Sequence, residues 1–312
     1  MYRQFADAVV NEGMRASRRS KLLLLVGIVV AVVAFRFVSR QFHVPDSPHF
    51  SGSLLESGNP YVQLIAVGVT LLVSVLVGTL VAGTIRFDAG LFCGLVGMVA
   101  LSTRCGTIGD VLRNTAPQGS PTVFVHLALE LVVLYAFISV AWSILRGLHG
   151  SGYLKADEFR DGVEDTDEPI VFKVSALAMQ VGVMAVLMFL LAQTDDKAQT
   201  ILSVGLAAFV GACAAYYMYP ISPSPWLWVG PLIVGVVGYG LAYFNTTPAD
   251  DLWKTGQLTH ALAALARPIP LDYATAGPAG AILGYWMSRK WHRERLAEDA
   301  APQQLQPQTQ AS

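Results

Sequence analysis

A series of long, unbroken apolar runs constrains this chain more than anything else in it. They lie at residues 22–38, 61–85, 87–103, 122–145, 170–191, 198–219, 226–244 and 271–287. Each is close to the roughly 17 to 25 residues that a helix needs to cross a hydrocarbon core about 30 Å thick. Alternating strands and one-sided helices of a water-soluble domain do not produce such runs. Within lipid the backbone must satisfy its own polar groups, and a helix does so inside a single segment. The predicted fold class is therefore all-α: a polytopic integral membrane helix bundle with about eight transmembrane spans. The third and eighth runs are short and glycine-rich, a pattern that suits a re-entrant or broken helix as well as a full crossing.

Composition agrees. Charged residues make up 14% and hydrophobic residues 54% of the chain, whereas soluble proteins are about a quarter charged. The formal net charge of −1 points to no nucleic acid as partner; the expected surroundings are the lipid bilayer. Cys93, Cys105 and Cys213 lack the paired spacing of a zinc site, and an odd number closes no disulfide framework. No HExxH, G-x-S-x-G, P-loop or G-x-G-x-x-G pattern is present. Gly106-Thr107-Ile108-Gly109-Asp110 falls short of the Gly-x-Gly-Asp of aspartyl intramembrane proteases. The chain thus leans away from enzymes, and no cofactor is indicated.

The charges between the runs define the remaining parts. Residues 1–20 combine apolar residues at helical spacing with Arg3, Arg15, Arg18 and Arg19, as an interfacial amphipathic basic segment does. The transmembrane domain is placed at 21–291, its first run an uncleaved anchor because the apolar stretch continues past Ala34. The loop 147–168 is acidic. Its Asp157, Glu158, Asp161, Glu164, Asp165, Asp167 and Glu168 read either as a docking surface for a protein partner or as a solvated linker. Residues 292–312 read as a disordered tail, rich in Gln and Pro at its end. With the N-terminus inside, fourteen Lys and Arg residues flank the spans on the inner face and six on the outer. This asymmetry predicts a cell-membrane protein with both termini cytoplasmic.

Ionisable side chains inside a span are the default functional candidates, because hydrocarbon penalises them. Glu130 stands first. It lies in the fourth run with His126 four residues before it, a spacing that sets both on one helical face for a proton or ion path. Asp88 and Arg104 bracket the third run. In the first outer loop His43, Asp46 and His49 stand three apart and offer metal-ligand chemistry. Ala89-Gly90 with Gly97 is echoed by Ala276-Gly277 with Gly284, a trace of an internal repeat or simply of close helix packing. Two functions are compatible with this sequence: small-solute or ion transport through the bundle, and a non-catalytic membrane scaffold docking partners through its acidic loop and basic termini.

Overall fold

The structure, a computed structural model, describes residues 2–40, 53–54, 59–82, 88–115, 119–150, 169–220, 225–247, 251–258 and 262–304. His43, Asp46, His49 and the acidic cluster from Asp157 to Glu168 lie outside the described residues. The described chain is helical: α1 (Tyr2–Ser39), α2 (Pro60–Ala82), α3 (Ala89–Ser102), α4 (Ile108–Thr115), α5 (Thr122–Gly150), α6 (Ile170–Leu191), α7 (Lys197–Met218), α8 (Trp226–Asn245), α9 (Leu252–Thr255) and α10 (Pro270–Gln304). No strand is present among these residues.

Among the described residues six helices are long and apolar enough to cross a membrane: α1 from Ser20, then α2, α5, α6, α7 and α8. The expectation of about eight spans is corrected to six, for two separate reasons. α3 has 14 residues, so it extends about 21 Å and stops short of the hydrocarbon thickness. α10 has the length, but Asp272, Thr275 and a series of Gly and Pro residues dilute its apolar character. Both are innermost helices. α3 is buried along most of its length, and α10 is buried from Pro270 to Ala279. α3 and the first part of α10 face protein, where small residues pack well, whereas Leu283 and Met287 farther along α10 are exposed.

Two helices run across boundaries drawn from the sequence. α1 runs without interruption from Tyr2 through the predicted interfacial segment into the first span. α10 continues to Gln304, across most of the stretch predicted to be a disordered tail. Residues 293–301 are rich in Arg, Glu, Leu and Ala, strong helix formers that can extend a helix already nucleated by tertiary packing.

Helix directions follow from the contacts. α3 runs parallel to α1, with Cys93 against Gly27 and Gly97 against Ala31, and antiparallel to α2, with Gly90 against Thr79 and Gly94 against Val75. α10 runs parallel to α7, with Gly280 against Gly205 and Gly284 against Phe209, and antiparallel to α8, with Tyr273 against Gly235 and Gly277 against Pro231. A Cβ at position 280 would overlap the carbonyl oxygen of Gly205; only glycine lets these two backbones approach so closely. α5 packs on α2, α8 and α10, while α6 packs on α7 and α8.

A proline inside α8 shows how one element depends on another. Pro231 lacks an N–H, so the carbonyl of Leu227 one turn earlier loses its usual donor. The buried side chain of Gln180 on α6 fills that role, its Nε2 donating to Leu227 O at 2.5 Å. Gly230 makes room: a Cβ there would lie 2.8 Å from the Gln180 amide carbon. Gln180 is therefore a helix-to-helix clamp.

Candidate functional site: a buried carboxylate cluster

α3 and α10 lie antiparallel, and polar groups join them at both ends. At the first end the Ser102 hydroxyl donates to Asp272 Oδ1. The same oxygen accepts from Lys197 Nζ at 2.7 Å, and Asp272 Oδ2 accepts from the Ile269 N–H at 3.1 Å. This arrangement is dictated locally. Pro270 opens α10 and Asp272 reaches back over the first turn, where the orphan N–H groups and the helix dipole favour an anion. Asp272 is fully buried, and the Lys197 side chain is partly buried, 16% exposed.

Glu130 lies about 12 Å along α5 from Thr122 at 1.5 Å per residue, and it is completely buried. Its Oε2 accepts from the Ser53 hydroxyl at 2.6 Å and from the Leu54 N–H at 3.0 Å. Two residues of the α1–α2 connection thus reach into the bundle to meet it. Cys105, in the turn after α3, senses all three charges. Burial pushes its thiol up to about 12; Lys197 opposes this, while Asp272 and Glu130 reinforce it.

A second layer of polar contacts surrounds this end. Arg267 pairs with Asp195 at 3.2 Å and donates through Nη1 to Ala192 O at 2.5 Å. Burial raises the Asp195 carboxyl, and Arg267 and Arg113 only partly offset it. On α4, burial would raise the Asp110 carboxyl, but donors from Thr107 and Arg113 outweigh it and hold Asp110 below the usual carboxylate range. Tyr273 and Tyr239 pin the segment before α10 through hydrogen bonds to Leu265 O at 2.7 Å and Pro268 O at 2.6 Å.

The structure divides the residues singled out from sequence. His126 is exposed on α5 while Glu130 is buried. The buried stripe of α5 runs through Val123, Leu127, Glu130, Leu131 and Leu134, and His126 falls just outside its edge. The two residues expected to share one face are thus split between the interior and the outer surface of the bundle. Asp88 and Arg104 sit beyond opposite ends of α3. Arg104 is half-buried in the turn that follows it. Asp88 is buried at the other end, where both its oxygens lie 2.9 Å from the Trp286 indole nitrogen, a donor on α10. Asp272, Lys197 and Ser102 were not singled out from sequence. Asp272 was legible, since it lies inside the eighth apolar run, where an acidic residue is costly. Lys197 and Ser102 gave no signal, because only the tertiary fold brings them to Asp272. Among the described residues no group of three or more His, Cys, Asp or Glu side chains is placed to hold a metal ion.

The class defined by this architecture is a helical membrane bundle with a polar cluster buried at one end. No protein-family model, no curated protein sequence and no solved structure matches the chain.

Proposed function

We propose that this protein moves a small solute or ion across the membrane, with the carboxylates of Glu130 and Asp272 handling a proton or a small cation along the way. One observation carries the reading: the carboxylates of Glu130 and Asp272 are buried inside a largely apolar bundle, and Asp272 pairs with the partly buried Lys197 ammonium. Desolvating such groups costs several kcal/mol each, and well-packed apolar residues would often stabilise a purely structural core as well or better. Their placement supports the same conclusion. Asp272 sits where α3 meets the buried first part of α10, and a seam covered there by the surrounding spans is a natural route for a polar solute.

The test uses purified protein in sealed vesicles under an imposed pH gradient or membrane potential. Proton or monovalent-cation flux should exceed that of protein-free vesicles. Glu130→Gln, which keeps the shape and removes the charge, should lower that flux at least tenfold while thermal stability stays near the parent's. Full flux in Glu130→Gln would remove Glu130 from the path. Absence of flux in the parent for every ion tried would replace transport with the scaffold reading.

A further inference from the structure

We infer that α1–α2–α3 and α7–α8–α10 are related as an inverted repeat, two units inserted in opposite directions, and that Asp88 and Asp272, which lie one turn apart in the shared glycine register, close the two ends of the seam between them. The inference deepens the transport reading: it names the path and adds Asp88 to it.

Direction is the first observation. In each unit the last helix runs parallel to the first and antiparallel to the second, as the glycine contacts establish. The last helices, α3 and α10, are themselves antiparallel, so one unit is upside down relative to the other.

The sequence echo is the second, and the structure gives it content. Ala89-Gly90 with Gly97 and Ala276-Gly277 with Gly284 share one spacing, and the matched glycines do matched work. Gly90 and Gly277 both face the second helix of their own unit, Thr79 on α2 and Pro231 on α8. Gly97 and Gly284 both face the first helix, Ala31 on α1 and Phe209 on α7. Shared glycine spacing alone arises often in membrane helices. Shared spacing with each position contacting the corresponding neighbour is what an inverted repeat requires.

Third, the two ends of the α3–α10 seam are closed reciprocally. At one end Asp272, near the start of α10, accepts from Ser102 at the end of α3. At the other, Asp88, just before α3, accepts from the Trp286 indole well along α10. Each carboxylate belongs to one unit and takes a neutral donor from the other. Rocking one unit against the other would separate one such contact and keep the second. A path open alternately to either side follows, with its polar site at the unit interface. The solute that exchanges with a neutral donor at each carboxylate is a proton or a small cation.

The experiment reads accessibility, so it tests the inference independently of flux. All native cysteines are replaced (Cys93→Ala, Cys105→Ala, Cys213→Ala), and Val96→Cys supplies one thiol midway along α3, about 40° around the helix from Phe92, which touches Trp286. A membrane-impermeant maleimide is applied to intact cells and to inverted vesicles. Ser102→Ala should raise labelling at least fivefold from the membrane face carrying the Asp272 end. Trp286→Phe, which keeps the ring and deletes the donor, should raise it from the opposite face. Asp272→Asn and Asp88→Asn serve as stronger versions at each end. Labelling from the same face in both variants, or no change in any of the four, would overturn the inference. Opposite-face labelling in a protein whose parent shows no flux would keep the inverted repeat and reject the transport reading.

Discussion

At the scale of single residues, the buried charges make the sharpest demands. Lys197 and Asp272 compensate one another, so Lys197→Met should leave an uncompensated buried carboxylate and destabilise by about 3–5 kcal/mol. Combined Lys197→Met and Asp272→Asn should cost less than the single change, measured by thermal unfolding in detergent. Additive losses would show that the pair is not coupled. Glu130 behaves differently because the Ser53 hydroxyl and the Leu54 N–H that donate to it are neutral. Glu130→Leu leaves the Ser53 hydroxyl and the Leu54 N–H without their acceptor, for a loss of about 1–3 kcal/mol; Glu130→Gln retains an acceptor oxygen and should lose less. Cys105 supplies a pH readout. A thiol whose folded value is raised to about 12 from 9.0 is protonated throughout the neutral range, so the fold resists its ionisation and is weakened only as pH climbs past the unfolded value. Native protein at pH 8 should therefore leave Cys105 unmodified by maleimide over hours, with rapid modification after denaturation. Fast native labelling at that pH would contradict its burial.

At the scale of elements, the α6–α8 clamp gives a test in which one mutation rescues another. Gln180→Leu orphans the Leu227 carbonyl that Pro231 already deprived of its helical donor. About 1–3 kcal/mol should be lost. Pro231→Ala restores an N–H to the helix, so Gln180→Leu in that background should cost clearly less; an equal cost in both backgrounds would mean that the hydrogen bond is not what Gln180 contributes. That an interhelical hydrogen bond would satisfy Gln180 was readable from its place in an apolar run, but the partner was not, since 47 residues separate it from Leu227. The same limit explains the short and diluted helices. The glycine content of the third and eighth runs marked them as unusual, whereas their role as the two central helices depends on neighbours that the local sequence does not name. His126 shows the same limit: helical spacing sets it near Glu130, but which side of α5 is buried is decided by α2, α8 and α10.

At the scale of the whole molecule, the charge asymmetry and the helix directions together predict that the Asp272 end faces the cell exterior. Thr103, exposed in the turn after α3, is the place to ask. Thr103→Cys in the cysteine-free chain should react with an impermeant thiol reagent on intact cells; reaction only after permeabilisation would invert the topology. The sequence by itself determined that this is a helical membrane protein and where most helices lie, because hydropathy and backbone hydrogen bonding in lipid act over a single segment of about twenty residues. It also displayed Glu130 and the glycine echo as isolated features. The tertiary structure alone decided that Glu130 meets Ser53, that Asp272 meets both Lys197 and Ser102, and that the echoed glycines occupy corresponding places in two opposed units. The hydrogen-bonded pairs join residues from 75 to 170 positions apart, and in a bundle of largely apolar helices only the complementary packing of small residues and buried polar groups distinguishes one arrangement from another.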